Sequence, residues 1–171
     1  SKTDSKAGDV NCILIWTRGG TSHHDSTDPK PEAKAEGRGE FGVIDTALPG
    51  IQFTDMMPHF AKQLKQFAVM RNLNPQNAGH GIADAIMMSG KKLNPSLTYP
   101  CFGSVVAKEK GARTNLPPFI QIGTQVDRVF GGGTAGYLGI RYNPFELPGD
   151  PSKKDFTVRD VTLPGGVSLA R

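Results

Sequence analysis

The stretch that decides the fold runs from Thr54 to Leu73, TDMMPHFAKQLKQFAVMRNL, read together with the earlier run Val10–Trp16, VNCILIW. Met57, Phe60, Ala61, Leu64 and Phe67 recur at helical spacing, and Lys62, Gln63, Lys65 and Gln66 fill the opposite side. This pattern predicts an amphipathic helix against a core, with Thr54 as its cap and Pro58 in its first turn. Phe67–Leu73 then reads as a strand. VNCILIW is short, continuously apolar and bounded by polar residues, the signature of a strand buried on both faces. Strand, long loop, helix and strand in succession predict an α/β fold with a mostly parallel sheet flanked by helices.

Outward from this core, His80–Ser89 predicts a short helix stopped at Gly90, and Pro100–Lys110 another stopped at Gly111. Pro118–Gly123 reads as a third apolar strand, Phe41–Ile44 as a short edge strand, and Phe156–Leu163 as an exposed strand. Gly131–Gly149 reads as loop. Gly and Pro number 21 and 13 of 171 residues, about a fifth of the chain, against roughly 12% in average usage. That predicts a globular domain with long, turn-rich connections. Residues 1–9 read as a flexible mature N-terminus, and residues 10–171 as the N-terminal portion of one α/β domain.

The formal charge is +4. Lys and Arg are scattered rather than clustered, which argues against a nucleic-acid partner. No apolar run approaches the roughly 20 residues that span a membrane. Cys12 and Cys101 form no zinc-ligand spacing; Cys12 reads as a buried small hydrophobe, and a disulfide between the two is neither required nor excluded. The five methionines read as core filler. Gly131–Gly136 matches GxGxxG in letters, but lacks the strand before and helix after that a dinucleotide site needs.

The best candidate for chemistry is the loop after the first apolar run. Thr21–Asp28 holds two carboxylates, two imidazoles and four hydroxyls within eight residues. In open α/β sheets, sites form beyond the carboxyl ends of strands, where this loop is predicted to lie. Carboxylates favour hard divalent cations and imidazole suits zinc. The competing reading is ordinary turn chemistry, with these side chains bonded to their own backbone. His80 and Asp84, four apart, share a helix face and form a second candidate; a partly buried His–carboxylate pair is the plain alternative. His59 reads as a surface or packing histidine.

Several stretches together resemble the domain-of-unknown-function 1501 family. They are CILIWTRGGTSHHDSTDPKP (Cys12–Pro31), GRGEFGVIDTALPGIQFTDMMPHFAKQLKQFAVMRNL (Gly37–Leu73) and HGIADAIMMSG (His80–Gly90), continued by YPCFGSVVAKEKG, LPPFIQIG, GGGTAGYLGIRYNPFEL and RDVTLPGGV. The resemblance implies an alkaline phosphatase/sulfatase-like scaffold and export to the periplasm or beyond, with a twin-arginine signal preceding Ser1. It also implies a longer protein, completed by the remainder of the same polypeptide or another chain. By position it implies Asp25 and Asp28 as metal-binding acids. His24 of the same loop and His80 of the second candidate are the imidazoles that would join them, with zinc, calcium or magnesium as the ion. Ser22 is the nearest hydroxyl of the family pattern, and Arg18 and Lys30 are candidates to clamp an anionic ester. The Cys/Ser-x-Pro-x-Arg motif of sulfatases is missing, and Arg18 stands where many relatives carry an acid. Two readings follow: a metal-dependent hydrolase of phosphate or sulfate esters, inactive as this chain alone, or a non-catalytic binding or assembly protein on the same scaffold.

Overall fold

The computed structural model describes residues 10–17, 21–112, 115–126 and 128–158. Residues 1–9 and Arg18 therefore lie outside the described residues. The chain divides into two compact units, Ser1–Leu73 and Asn74–Arg171. Among the described residues, small two-stranded sheets and three α-helices make a mixed α/β fold.

The first unit is built on a hairpin. Strand β1 (Val43–Asp45) pairs antiparallel with β2 (Gln52–Thr54), in the register Val43↔Thr54, Ile44↔Phe53 and Asp45↔Gln52. Gly50 takes a positive φ of 78° in the connection, a conformation glycine adopts without steric penalty. Helix α1 (Pro58–Gln63) begins with Pro58, whose missing N–H is no loss there, and tightens into a 3-10 turn at Leu64–Gln66. Phe53, Ala61 and Leu64 form the buried core, with Ile44, Ile51, Met57 and Val69 packed against it. The predicted helix is thus present but shorter. Thr54 does not cap it: Thr54 closes β2 fully buried, and Met57 stands at the N-cap without a side-chain bond.

Two predicted strands of this unit are not formed. Val10–Trp16 forms no strand and pairs with no strand among the described residues, with Val10, Ile13, Leu14 and Ile15 between 62% and 87% exposed. A continuously apolar strand needs neighbours at both edges and cover on both faces. The described residues of this unit offer one three-residue hairpin, already paired within itself. Cys12 is accordingly exposed rather than buried. Phe67–Leu73 is also irregular; it is held by Val69 packing on the hairpin core and by Arg71, whose guanidinium donates to the Gln52 carbonyl at 2.9 Å.

In the second unit, α2 (His80–Ser89) buries Gly81, Asp84, Ala85 and Met88, the i, i+3, i+4, i+7 stripe of a helix on a core. It ends as predicted at Gly90, whose left-handed backbone directs its N–H to the Ile86 carbonyl. Helix α3 (Phe102–Lys110) ends at Gly111. Strands β3 (Ile120–Ile122) and β4 (Phe145–Leu147) pair in parallel, with Ile120 opposite Phe145 and Ile122 opposite Leu147. The segment predicted as loop, Gly131–Gly149, therefore contains a strand. Gly136 there serves close packing, because a Cβ on it would sit on the Thr98 carbonyl, which accepts the Tyr137 N–H at 3.0 Å. Residues 156–158 form no strand, and the rest of the predicted strand Phe156–Leu163 lies outside the described residues. Met88 is buried and Met57 packs on the core, but Met56 and Met70 are 60% and 72% exposed, so methionine is not uniformly core filler here.

Candidate functional site

The loop from Ser22 to Lys30 is a knot of short-range hydrogen bonds. The Asp28 and Ser26 N–H groups both donate to the His23 carbonyl, at 2.9 and 3.3 Å. The Ser26 hydroxyl donates to the Ser22 carbonyl at 2.8 Å. This is the turn chemistry expected of Ser and Asp in a loop. What lifts it above an ordinary turn is its anchor on β2. The Thr54 N–H donates to the Ser26 carbonyl and the Thr54 hydroxyl to the Asp25 carbonyl, each at 2.9 Å. Thr54 is fully buried, so these bonds are shielded from competing water. Gly39 completes the packing: a Cβ there would lie 2.6 Å from the His24 carbonyl oxygen and 2.7 Å from the Asp25 carboxylate.

The loop carries one buried acid. Asp28 is 6% exposed, and three basic groups face it. The Lys30 ammonium lies 2.8 Å from Oδ2, His23 Nδ1 lies 3.5 Å from the same oxygen, and Arg71 Nη1 lies 3.8 Å from Oδ1. Burial raises the Asp28 pKa, but hydrogen bonding and charge from Lys30, the charge of Arg71 and the His23 bond outweigh it and hold the carboxyl below its ordinary value. Lys30 reaches Asp28 from a left-handed backbone, φ 47°, which is uncommon for a side-chain-bearing residue. Arg71 is further fixed by the Gln52 carbonyl and by the Phe53 ring, 5.8 Å from its centroid.

The residues predicted from sequence are partly brought together. Asp28 and Lys30 are in direct contact. His23, rather than His24, faces Asp28; the two imidazoles lie with centroids 3.8 Å apart and planes tilted by 37°. Ser22 is exposed, with its carbonyl tied down by Ser26. Asp25 turns its carboxylate toward Gly39. His80 opens α2 in the other unit and is exposed, while Asp84, one turn on, is buried. His59 is exposed on α1, as a surface histidine would be. Arg71 was not legible as a site residue, because its segment reads as a strand and nothing local links it to Asp28.

Two permanent cations against one carboxylate leave the cluster with surplus positive charge. Lys30 and Arg71 keep 47% and 33% of their side-chain surface in solvent, and both retain donors beyond those spent on Asp28 and Gln52. Such a cluster can hold an anion. It does not fit a divalent cation. An ion on Asp28 Oδ2 would share that oxygen with the Lys30 ammonium, like charge against like. Among the described residues no group of three or more His, Cys, Asp or Glu is gathered as a metal-binding set. No helix among them is long and apolar enough to cross a membrane.

The chain matches, over residues 9–171, the family described as "Protein of unknown function (DUF1501)", and it belongs to that family. No curated protein and no solved structure matches it.

Proposed function

We propose that this DUF1501 family member takes an anionic ester, a phosphate or sulfate, at the Ser22–Lys30 loop, as part of an exported hydrolase-like protein on an alkaline phosphatase/sulfatase-like scaffold. The observation that carries the reading is the cationic surplus around a buried acid: Asp28 meets Lys30 at one carboxylate oxygen and Arg71 at the other, and both cations remain open to solvent. Guanidinium and ammonium groups fixed in this way suit the oxygens of a tetrahedral oxyanion. The exposed Ser22 hydroxyl, on backbone held by Ser26, is the hydroxyl of the family pattern and the candidate nucleophile of the loop. Completion of the site by the remainder of a longer polypeptide, or by another chain, belongs to the same proposal, as does export.

The second reading is a non-catalytic binding or assembly protein. It is favoured by the same contacts, since a carboxylate met by three basic groups also makes a structural clamp. Assaying the full-length protein against phenyl phosphate and phenyl sulfate separates the two. The hydrolase reading expects turnover that falls at least about tenfold in Arg71→Ala, as loss of a charged clamp does. Ester binding without turnover would favour the second reading, and neither binding nor turnover would sink the anion site.

A further inference from the structure

We infer that the Lys30 ammonium occupies the position of a metal ion at Asp28, making the Ser22–Lys30 loop an anion site that works without a divalent cation. The inference rests on the reading of this loop as an anion site and deepens it. Three observations on the first unit carry it. The acid the family pattern offers as a ligand, Asp28, is buried and already meets an ammonium at 2.8 Å. Among the described residues, the other groups within reach of its oxygens are Arg71, a second cation, and His23, a single imidazole that with Asp28 falls short of a metal's ligand set. And Lys30 is delivered by a left-handed backbone, φ 47°, an arrangement a freely placed surface lysine has no reason to adopt.

The geometry also says what the substitution achieves. A metal ion in such a site would neutralise Asp28 and present positive charge to the substrate oxygens. Lys30 does the first directly, and Arg71 supplies the second from across the carboxylate. Arg71 is held for that task by its bond to the Gln52 carbonyl and by the Phe53 ring. The ligand class is an oxyanion head group, recognised by hydrogen-bond donors and charge rather than by coordination to a metal. Asp28 is then a positioning residue: it orients two cations and need not touch the ligand.

The test uses the full-length protein, before and after exhaustive chelation, with phenyl phosphate as the binding probe and elemental analysis for metal. The expected result is an affinity unchanged within about twofold by chelation, and weakened about tenfold by Lys30→Gly. Glycine suits the positive φ, so that variant keeps the loop's backbone. Metal that survives in Asp28→Asn is bound elsewhere and agrees with the inference. Stoichiometric metal that is lost in Asp28→Asn, with phenyl phosphate affinity falling on chelation, would overturn it. If phenyl phosphate fails to bind in every state, the anion reading of the loop falls, and the metal content of wild type against Asp28→Asn still decides whether Asp28 is a ligand.

Discussion

Lys30 holds two opposing contributions in one residue: a backbone that disfavours any side chain and an ion pair that requires one. Their separation is measurable. Lys30→Ala keeps the strained φ and loses the pair; Lys30→Gly loses the pair and relieves the strain. Thermal unfolding should find the glycine variant more stable than the alanine variant by about 1 kcal/mol. Equal stability would mean that the left-handed backbone is not adopted in solution. Asp28 gives a pH prediction of definite sign. Its carboxyl is held below its ordinary value of 3.8 in the folded chain. The pairing therefore stabilises the fold fully above that value and is lost as pH falls through the lower, folded value. Wild type should exceed Asp28→Asn in melting temperature near neutrality, and the gap should narrow as pH is lowered below 3.8. A gap that persists at low pH would assign the stabilisation to packing rather than charge. At this scale the sequence pointed to Asp28 and Lys30, which sit two apart in one loop. It did not point to Arg71, because the contact depends on how a distant segment folds back.

The helices were the most legible elements. Gly90 and Gly111 stop α2 and α3 where a residue free to take a positive φ is required, and both were marked by the letter itself. The strands were not legible to the same degree. Apolar runs predict burial, but a strand forms only where a partner edge is present, and VNCILIW and FAVMRNL have none among the described residues. Conversely, β4 lies in a segment dense with glycine, where the run FEL is too short to stand out. Glycine also acts inside an element. Gly103 in α3 leaves no room for a Cβ, which would press into the Phe119 ring. Alanine normally stabilises a helix over glycine by roughly 0.5–1 kcal/mol. Here Gly103→Ala is expected to destabilise instead, by about 1–3 kcal/mol, as overpacking does. A chemical denaturation midpoint that rises in this variant would show that the ring gives way freely.

For the molecule as a whole, composition predicts long, turn-rich connections and the order of the apolar runs an α/β class; the described residues form a mixed α/β fold in two compact units with short elements. A single mostly parallel sheet was expected from the order of the apolar runs; the described residues instead form one antiparallel pair and one parallel pair. The difference has one physical source. Runs of apolar residues report that a segment is suited to burial, but not which neighbour buries it. The family was legible, because its pattern is spread over nearly the whole matched length. The central claim is that Asp28 gathers Lys30 and Arg71 into a site for an oxyanion. It is tested most directly by calorimetric titration of the full-length protein with phenyl sulfate, comparing wild type with the Lys30→Gly, Arg71→Ala double variant. The account predicts saturable binding in wild type that weakens by at least about tenfold when both cations are removed. Equal binding in both proteins, or none in wild type, would contradict it and leave the cluster as a clamp that holds the loop to β2.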